Sequence, residues 1–311
     1  MQYDIVGDIH GQADKLEALL KTMGYQHQGG AYRHPSRTAV FVGDFIDRGP
    51  RQVDTCRLVR EMVDAGSAQA VMGNHEFNAV AWFMRDPEAP NEERYLRPRH
   101  GEKGRKHRQQ HQAFLAEVEG TPMHQELTDW FLSLPLWLDL PELRVVHACW
   151  HDGLMSSLEP WLGQCRTLTP ALMVRASRRD DPVFEAVEAL TKGMEAPLPS
   201  GHAFRDKDGH ERHHVRIRWW EERSDTYRDL AIMPEPERQK LPNLPLATAA
   251  RPTYDKRKPV FYGHYWMQGE PTVQGSHFAC VDYSAGKGGP LVAYRWEGEE
   301  VLDPGHFVRA G

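Results

Sequence analysis

The stretch Tyr3-Asp4-Ile5-Val6-Gly7-Asp8-Ile9-His10-Gly11 starts as an apolar run and ends in two polar side chains between glycines. The same pattern returns twice. Residues 38–42 run into Gly43-Asp44-Phe45-Ile46-Asp47-Arg48-Gly49, and residues 68–72 run into Gly73-Asn74-His75-Glu76. A helical repeat follows the first island, with Ala13, Leu16, Leu19, Leu20 and Met23 at helical spacing before Gly24. Another follows the second, with Val53, Cys56, Leu58, Val59, Met62 and Val63 between Pro50 and Gly66. Strand, loop and helix in repetition predict a βαβαβ unit with parallel strands. In such sheets ligands bind beyond the carboxyl ends of the strands, so the three islands converge on one crevice.

The rest of the chain completes or covers that crevice. A basic cluster, Arg94, Arg97, Arg99, Lys103, Arg105, Lys106 and Arg108, lies in a stretch from 87 to 110 that reads as an exposed insertion. Helices are expected at about 111–118 and 125–132. A strand at 143–146 ends in His147-Ala148-Cys149-Trp150, a fourth polar strand end, and residues 260–262 form a strand leading to Gly263-His264. Residues 278–283 and 291–296 read as antiparallel strands. Between them, 152–258 forms a second insertion, with amphipathic stretches near 156–164 and 183–192 and many prolines after Pro234. Its Asp206-Lys207-Asp208-Gly209 reads as a hairpin turn, because the remaining ligands of a calcium loop are missing. The expected fold class is α/β, two packed mixed β-sheets flanked by helices, in one domain over 1–311.

Composition narrows the function. Thirty-eight basic against 44 acidic residues give a net charge of −6, which argues against nucleic acid as the main partner. Four cysteines without a Cys-x-x-Cys pair suit reduced thiols rather than a zinc ribbon or a disulfide framework. No stretch approaches the roughly 20 apolar residues of a membrane span, and residue 1 leads into a strand rather than a signal segment, so a cytoplasmic location and no membrane partner are expected. Carboxylate, carboxamide and imidazole groups without thiolate suit Mn, Fe or Zn. Two such ions about 3.5–4 Å apart would need a bridging carboxylate, and Asp44 is central.

Gly-Asp-x-His-Gly, Gly-Asp-x-x-Asp-Arg-Gly and Gly-Asn-His-Glu, spaced 36 residues from Asp8 to Asp44 and 30 from Asp44 to Asn74, resemble the signature of calcineurin-like metallophosphoesterases. More narrowly they are similar to the phosphoprotein phosphatase branch and its bacterial diadenosine tetraphosphatase relatives. The resemblance implies a four-layer sandwich with two divalent metal ions, Mn foremost. Asp8 and His10 would bind the first metal, Asp44 would bridge, and Asn74, His147 and His264 would bind the second. His147-Ala148-Cys149 keeps the ligand but departs from the family's His-Gly-Gly or His-Ala-Gly. Arg48 would grip the phosphoryl oxygens with its planar fork, and His75, also at the phosphate, would protonate the leaving oxygen, paired with Asp47. A second phosphate-binding arginine is left open among Arg175, Arg216 and Arg218. Asp282, in a departure from the family's late Ile-Asp-Thr-Gly, reads as supporting structure.

Plainer readings compete with these. A Gly-Asp turn needs no metal, but it would have to arise independently at three places with His10, Arg48 and His75 in register. Glu76 reads as a helix-start residue favoured by the dipole, not as a catalyst. Cys149 reads as a buried structural thiol and Trp219-Trp220 as core packing. The cluster 94–108 reads as solvated, with electrostatic steering as the other reading. His100, His107, His111, His202, His210, His213 and His214 are left on the surface. The function expected is a metal-dependent phosphatase hydrolysing phosphomonoesters of a phosphorylated protein or nucleotide by attack of a metal-bound hydroxide. The alternatives are symmetrical hydrolysis of diadenosine tetraphosphate, a nucleic-acid end phosphatase, and, in a different class, a non-catalytic metal-binding module. The presence of Asp47, Arg48 and His75 argues against the last.

Overall fold

The computed structural model describes residues 2–89, 94–205, 211–246 and 251–311, so the turn expected at Asp206-Lys207-Asp208-Gly209, and His210, lie outside the described residues. The chain begins with β1 (Gln2–Val6), α1 (Ala13–Thr22), a hairpin of β2 (Gln26–Gln28) and β3 (Ala31–Arg33), β4 (Arg37–Phe41), α2 (Gln52–Asp64), β5 (Ala68–Ala70) and α3 (Asn74–Phe83). Strands β1, β4 and β5 are parallel, with Ile5 opposite Val40 and Val40 opposite Gln69. This is the βαβαβ unit expected of the islands.

Next come α4 (Gly101–Gln110), α5 (Gln112–Val118), α6 (Pro122–Leu132), β6 (Trp137–Asp139) and β7 (Arg144–Val146). Helix α6 starts earlier than its periodicity suggested because Pro122 fits the first helical turn. The long middle segment holds α7 (Asp152–Leu158), α8 (Pro170–Ala176), α9 (Pro182–Lys192), β8 (Glu195–Pro197), β9 (Phe204–Arg205), β10 (Glu211–Arg212), β11 (His214–Arg216), α10 (Tyr227–Leu230) and α11 (Glu235–Arg238). The chain closes with β12 (Val260–Tyr262), β13 (Phe278–Cys280), β14 (Leu291–Trp296) and β15 (Phe307–Ala310).

Two mixed sheets result, ordered β15-β14-β1-β4-β5 and β13-β12-β7-β6. Alternation along each strand decides what each face buries. Tyr3, Ile5, Val40, Val42 and Tyr294 of the first sheet meet Val145, Phe261 and Ala279 of the second in one core. The intervening residues, Val6, Ala39 and Phe41 on one side and Val260, Tyr262 and Phe278 on the other, face outward into helix-covered cores with Leu16, Leu19, Leu158 and Leu190. The order is helix, sheet, sheet, helix. One expectation is corrected: β13 and β14 do not pair. Strand β13 lies parallel to β12, and β14 lies antiparallel to β1 in the other sheet. Their alternating patterns are alike because each strand buries both faces, and pattern alone does not choose a partner.

Away from the loops, β1, β4 and β14 are joined by a buried ionic cluster. Asp4 Oδ1 accepts from Arg37 Nε at 2.9 Å and Arg295 Nε at 3.1 Å, and its Oδ2 accepts from Tyr25 Oη at 3.0 Å.

Candidate active site

Six loops at the carboxyl ends of parallel strands, after β1, β4 and β5 in one sheet and β7, β12 and β13 in the other, open on the same side. The loops approach so closely that side chains are excluded at some positions. A Cβ on Gly43 would stand 2.5 Å from Gly73 N, and one on Gly263 would stand 2.0 Å from Asp8 Oδ1. The backbone is strained there as well: His10, Asp44, Asp47, Arg48 and His264 all have positive φ. Left-handed non-glycine residues persist only where surrounding structure fixes them, and they gather at functional sites.

Asp44 lies at the centre. Together with His10 and His75 it forms one trio, and together with His147 and His264 a second, each with its donor atoms within 4.8 Å of one another and all members buried. His10 Nδ1 donates to Ile46 O at 2.8 Å and His147 Nδ1 donates to Val42 O at 2.7 Å. Each ring thereby turns Nε2 inward, the arrangement in which imidazoles hold cations. His147 Nε2 is 3.4 Å from Asp44 Oδ1 and 3.3 Å from Asn74 Oδ1. Both ring nitrogens of His264 and Oδ1 of Asp8 are buried without a hydrogen-bond partner among the described residues. Such orphaned donors and acceptors are costly unless a ligand satisfies them.

The electrostatics agree. Burial holds His10 down at about 3, with the neighbouring His75 adding to the effect, so the ring is neutral. Burial would also lower His147, but Asp44 and Asp8 outweigh it and lift the ring to about 10. Two buried carboxylates draw positive charge into this centre, and the donor set fits two divalent cations. Asp8 belongs to neither trio: its Oδ2 accepts from His264 N at 3.1 Å, and burial, then Asp282, raise its pKa.

His75, a member of the first trio through Nε2 at 3.8 Å from Asp44 Oδ2, has its Nδ1 2.5 Å from Asp47 Oδ2. Burial would lower the imidazole, yet Asp44 and Asp47 outweigh it and raise it above its ordinary value. The Arg48 guanidinium reaches His10 Nε2 at 2.7 Å and sits 5.5 Å from the Trp266 ring, which also faces Lys287 Nζ at 3.8 Å. Of the three arginines left open, Arg175 pairs with Asp181 at 2.9 Å and lies over Trp161, and Arg218 is surrounded by Arg238, Glu221 and Glu235. Arg216, at the end of β11, pairs loosely with Glu195 through Nη2 at 3.7 Å, has a buried Nε without a hydrogen-bond partner among the described residues, and is the strongest charged influence on His264 after burial.

Supporting residues take definite places. Glu76 accepts from Asp44 N at 2.8 Å, Phe45 N at 2.8 Å and Gly73 N at 3.0 Å, so it joins the second island to the third rather than merely favouring the helix dipole. Asp282 accepts from Trp266 N and Ser284 N, Cys149 is buried, and Trp219 donates to Ala148 O while packing on Tyr262 and Phe278. His111, expected on the surface, is fully buried beside Asp47, and Arg97 of the expected solvated cluster lies behind it. No spacing in the sequence signals this, since the contact spans 64 residues.

These elements and this centre define a class. A model of the calcineurin-like phosphoesterase family matches residues 1–170, and the chain belongs to that family. The bis(5'-nucleosyl)-tetraphosphatase PrpE [asymmetrical] of Halalkalibacterium halodurans is 47% identical over 76 residues, covering 24% of this chain and 31% of the relative. The protein of the same name from Bacillus cereus (strain B4264) is 32% identical over 162 residues, 50% of this chain and 58% of the relative. The chain thus spans between about a third and three-fifths of the length of these relatives. In fold it is similar to a cold-active protein-tyrosine phosphatase of a psychrophilic Shewanella sp., at 15% identity and a TM-score of 0.51, covering 100% of this chain and 80% of that one. No described helix is long and apolar enough to cross a membrane.

Proposed function

We propose that the chain is a two-metal phosphoesterase that hydrolyses phosphomonoesters. The observation that carries this reading is Asp44, shared by two buried trios, one of which includes His75 paired with Asp47, with Arg48 beside His10. His10, Asp8 and Asp44 would hold one ion and Asp44, Asn74, His147 and His264 the other; two bound divalent ions supply a nucleophile at neutral pH and neutralise phosphoryl charge. Oxygen and imidazole donors suit Mn, Fe or Zn, and we place Mn foremost at both positions.

The protein's own residues do the rest. Arg48 and Arg216 clamp non-bridging phosphoryl oxygens, Arg48 by the fork its guanidinium presents. His75 is read as a proton donor rather than a ligand, because its Nδ1 is committed to Asp47, and Asp44 and Asp47 outweigh burial and raise its pKa. Its Nε2 then faces the crevice and protonates the departing oxygen, a role that contributes on the order of 10²- to 10⁴-fold. Free cysteines throughout the described residues suit the reducing cytoplasm.

A second reading concerns the substrate. The matched relatives are named asymmetrical dinucleoside tetraphosphatases, and the same centre could cleave a phosphoanhydride between nucleosides. Phenyl phosphate, a phosphopeptide, diadenosine tetraphosphate and nucleoside monophosphates assayed in parallel with Mn separate the two by kcat/KM. The phosphomonoesterase reading expects the monoesters to lead. Tetraphosphate cleavage ahead by tenfold or more selects the second, and no turnover of any phosphoester contradicts both.

A further inference from the structure

Arg97, in the cluster whose sequence reads as solvated, and His111, left on the surface at the start of the helix that follows, lie outside the islands, yet they end at the dyad. His111 Nδ1 is 2.8 Å from Asp47 Oδ2, the oxygen that faces His75 Nδ1 at 2.5 Å. The two imidazoles stand edge to face, 6.4 Å between centroids at 84°. On the far side, Arg97 Nη1 reaches His111 Nε2 at 2.8 Å. A guanidinium only donates, so Nε2 must accept, and the proton of a neutral His111 ring is on Nδ1, where it is donated to Asp47. Burial, the largest influence on His111, favours the same neutral ring.

Arg97 is fixed in turn. Its Nη2 donates to Gln110 Oε1 at 2.8 Å, and its backbone N–H donates to Ala81 O at 2.9 Å. Ala81 belongs to α3, the helix that starts with Asn74 and His75. The hydrogen bonds therefore form a closed circuit from α3 through Arg97, His111 and Asp47 back to His75. Asp47 needs such a hold, because its backbone is left-handed, with φ of 73°, and its N–H is tied to Gln52 Oε1.

We propose that His111, backed by Arg97, is a positioning residue of the phosphoesterase reaction: it fixes the Asp47 carboxylate so that His75 presents its Nε2 proton to the leaving oxygen. This rests on the reading of His75 as the proton donor. The role belongs to bond cleavage at the leaving group: as the oxygen of the attacking water bonds to phosphorus, the ester P–O bond breaks, its electron pair stays on the leaving oxygen, and that oxygen takes the proton from His75. An ester whose alcohol leaves readily as an anion does not need that proton.

The test compares phenyl phosphate, whose leaving group needs the proton, with 2,4-dinitrophenyl phosphate, whose leaving group does not. His111→Leu should lower kcat on phenyl phosphate by about 10- to 100-fold, the usual cost of losing a partner that orients a working side chain. On 2,4-dinitrophenyl phosphate it should stay within about threefold. His111→Asn, whose amide nitrogen can stand near the Nδ1 position, should recover most of the loss. Equal losses on both esters, or no loss, overturn the proposal. His75→Asn is run alongside. If it shows the leaving-group dependence and His111→Leu does not, only the positioning role fails; if His75→Asn does not show it, the proton-donor reading fails and the proposal falls with it. Should His111→Leu not fold, Arg97→Met is scored by the same ratio. Independently of activity, ¹⁵N–¹H spectra should show His111 as the Nδ1–H tautomer; an Nε2–H ring overturns the circuit.

Discussion

Glu76 shows how much of this site depends on single side chains beside the metal positions. Its carboxylate is the acceptor for three buried backbone N–H groups, and each would cost about 1–3 kcal/mol if left unsatisfied. Glu76→Ala should therefore destabilise the protein by at least about 3 kcal/mol in urea titrations; a change below 1 kcal/mol would show that the loops hold themselves. Gly263 sets the opposite limit, a place for no atom at all. In Gly263→Ala the new methyl would meet Asp8 Oδ1 at 2.0 Å, so we expect metal affinity to fall while the circular dichroism spectrum is kept. Unchanged metal titration would contradict that placement of Asp8. The residues of the three islands were legible because each motif keeps its donors within a few positions of one strand end. Arg216 was legible only as one of three, and His111 not at all, because burial beside Asp47 is decided by contacts far apart in sequence.

Among the elements, α6 carries a titratable group that its neighbours keep neutral. His124 is buried against Phe83 and Phe114, and burial, then Arg99, push it down to about 4. In the unfolded chain the imidazole titrates near its ordinary value of about 6.5. Between those values the unfolded chain binds the proton and the folded one does not, so this contribution is complete above about pH 6.5 and is lost as pH falls toward 4. Thermal melts across that window should show a shallower acid decline for His124→Phe than for the wild type; parallel curves would contradict the assignment. Strands β1, β4 and β14 make a different case. Asp4 joins Arg37, Arg295 and Tyr25 away from the crevice. Removing one partner of a buried ionic cluster costs about 3–5 kcal/mol, so Asp4→Ala should melt earlier yet keep its kcat at temperatures where it is folded. A kcat loss as large as the stability loss implies would argue against that separation. Element types were legible from period and punctuation, whereas the partners of β13 and β14 were not, because two strands buried on both faces look alike in sequence.

For the whole molecule, the sheets, packed face to face, bring six strand ends to one side and so unite residues as distant as Asp8 and His264. That convergence followed from the repeated strand-loop-helix grammar. The middle segment was harder to read, because its short strands and helices build small clusters of their own around Ile217 and Leu241. It nevertheless brings the charge of Arg216 to bear on His264, and the earlier insertion and the helix after it bring Arg97 and His111 up behind Asp47. The central claim is that Asp44 joins two metal positions in one catalytic centre. Its most direct test is the metal-to-protein ratio of wild type and Asp44→Asn after Mn loading, by elemental analysis, with turnover of phenyl phosphate followed on the same samples. The account predicts two ions per wild-type chain, at most one in folded Asp44→Asn, and a loss of turnover beyond the roughly 100-fold that partners of metal ligands cost. An Asp44→Asn protein that keeps two ions and near wild-type turnover would contradict it.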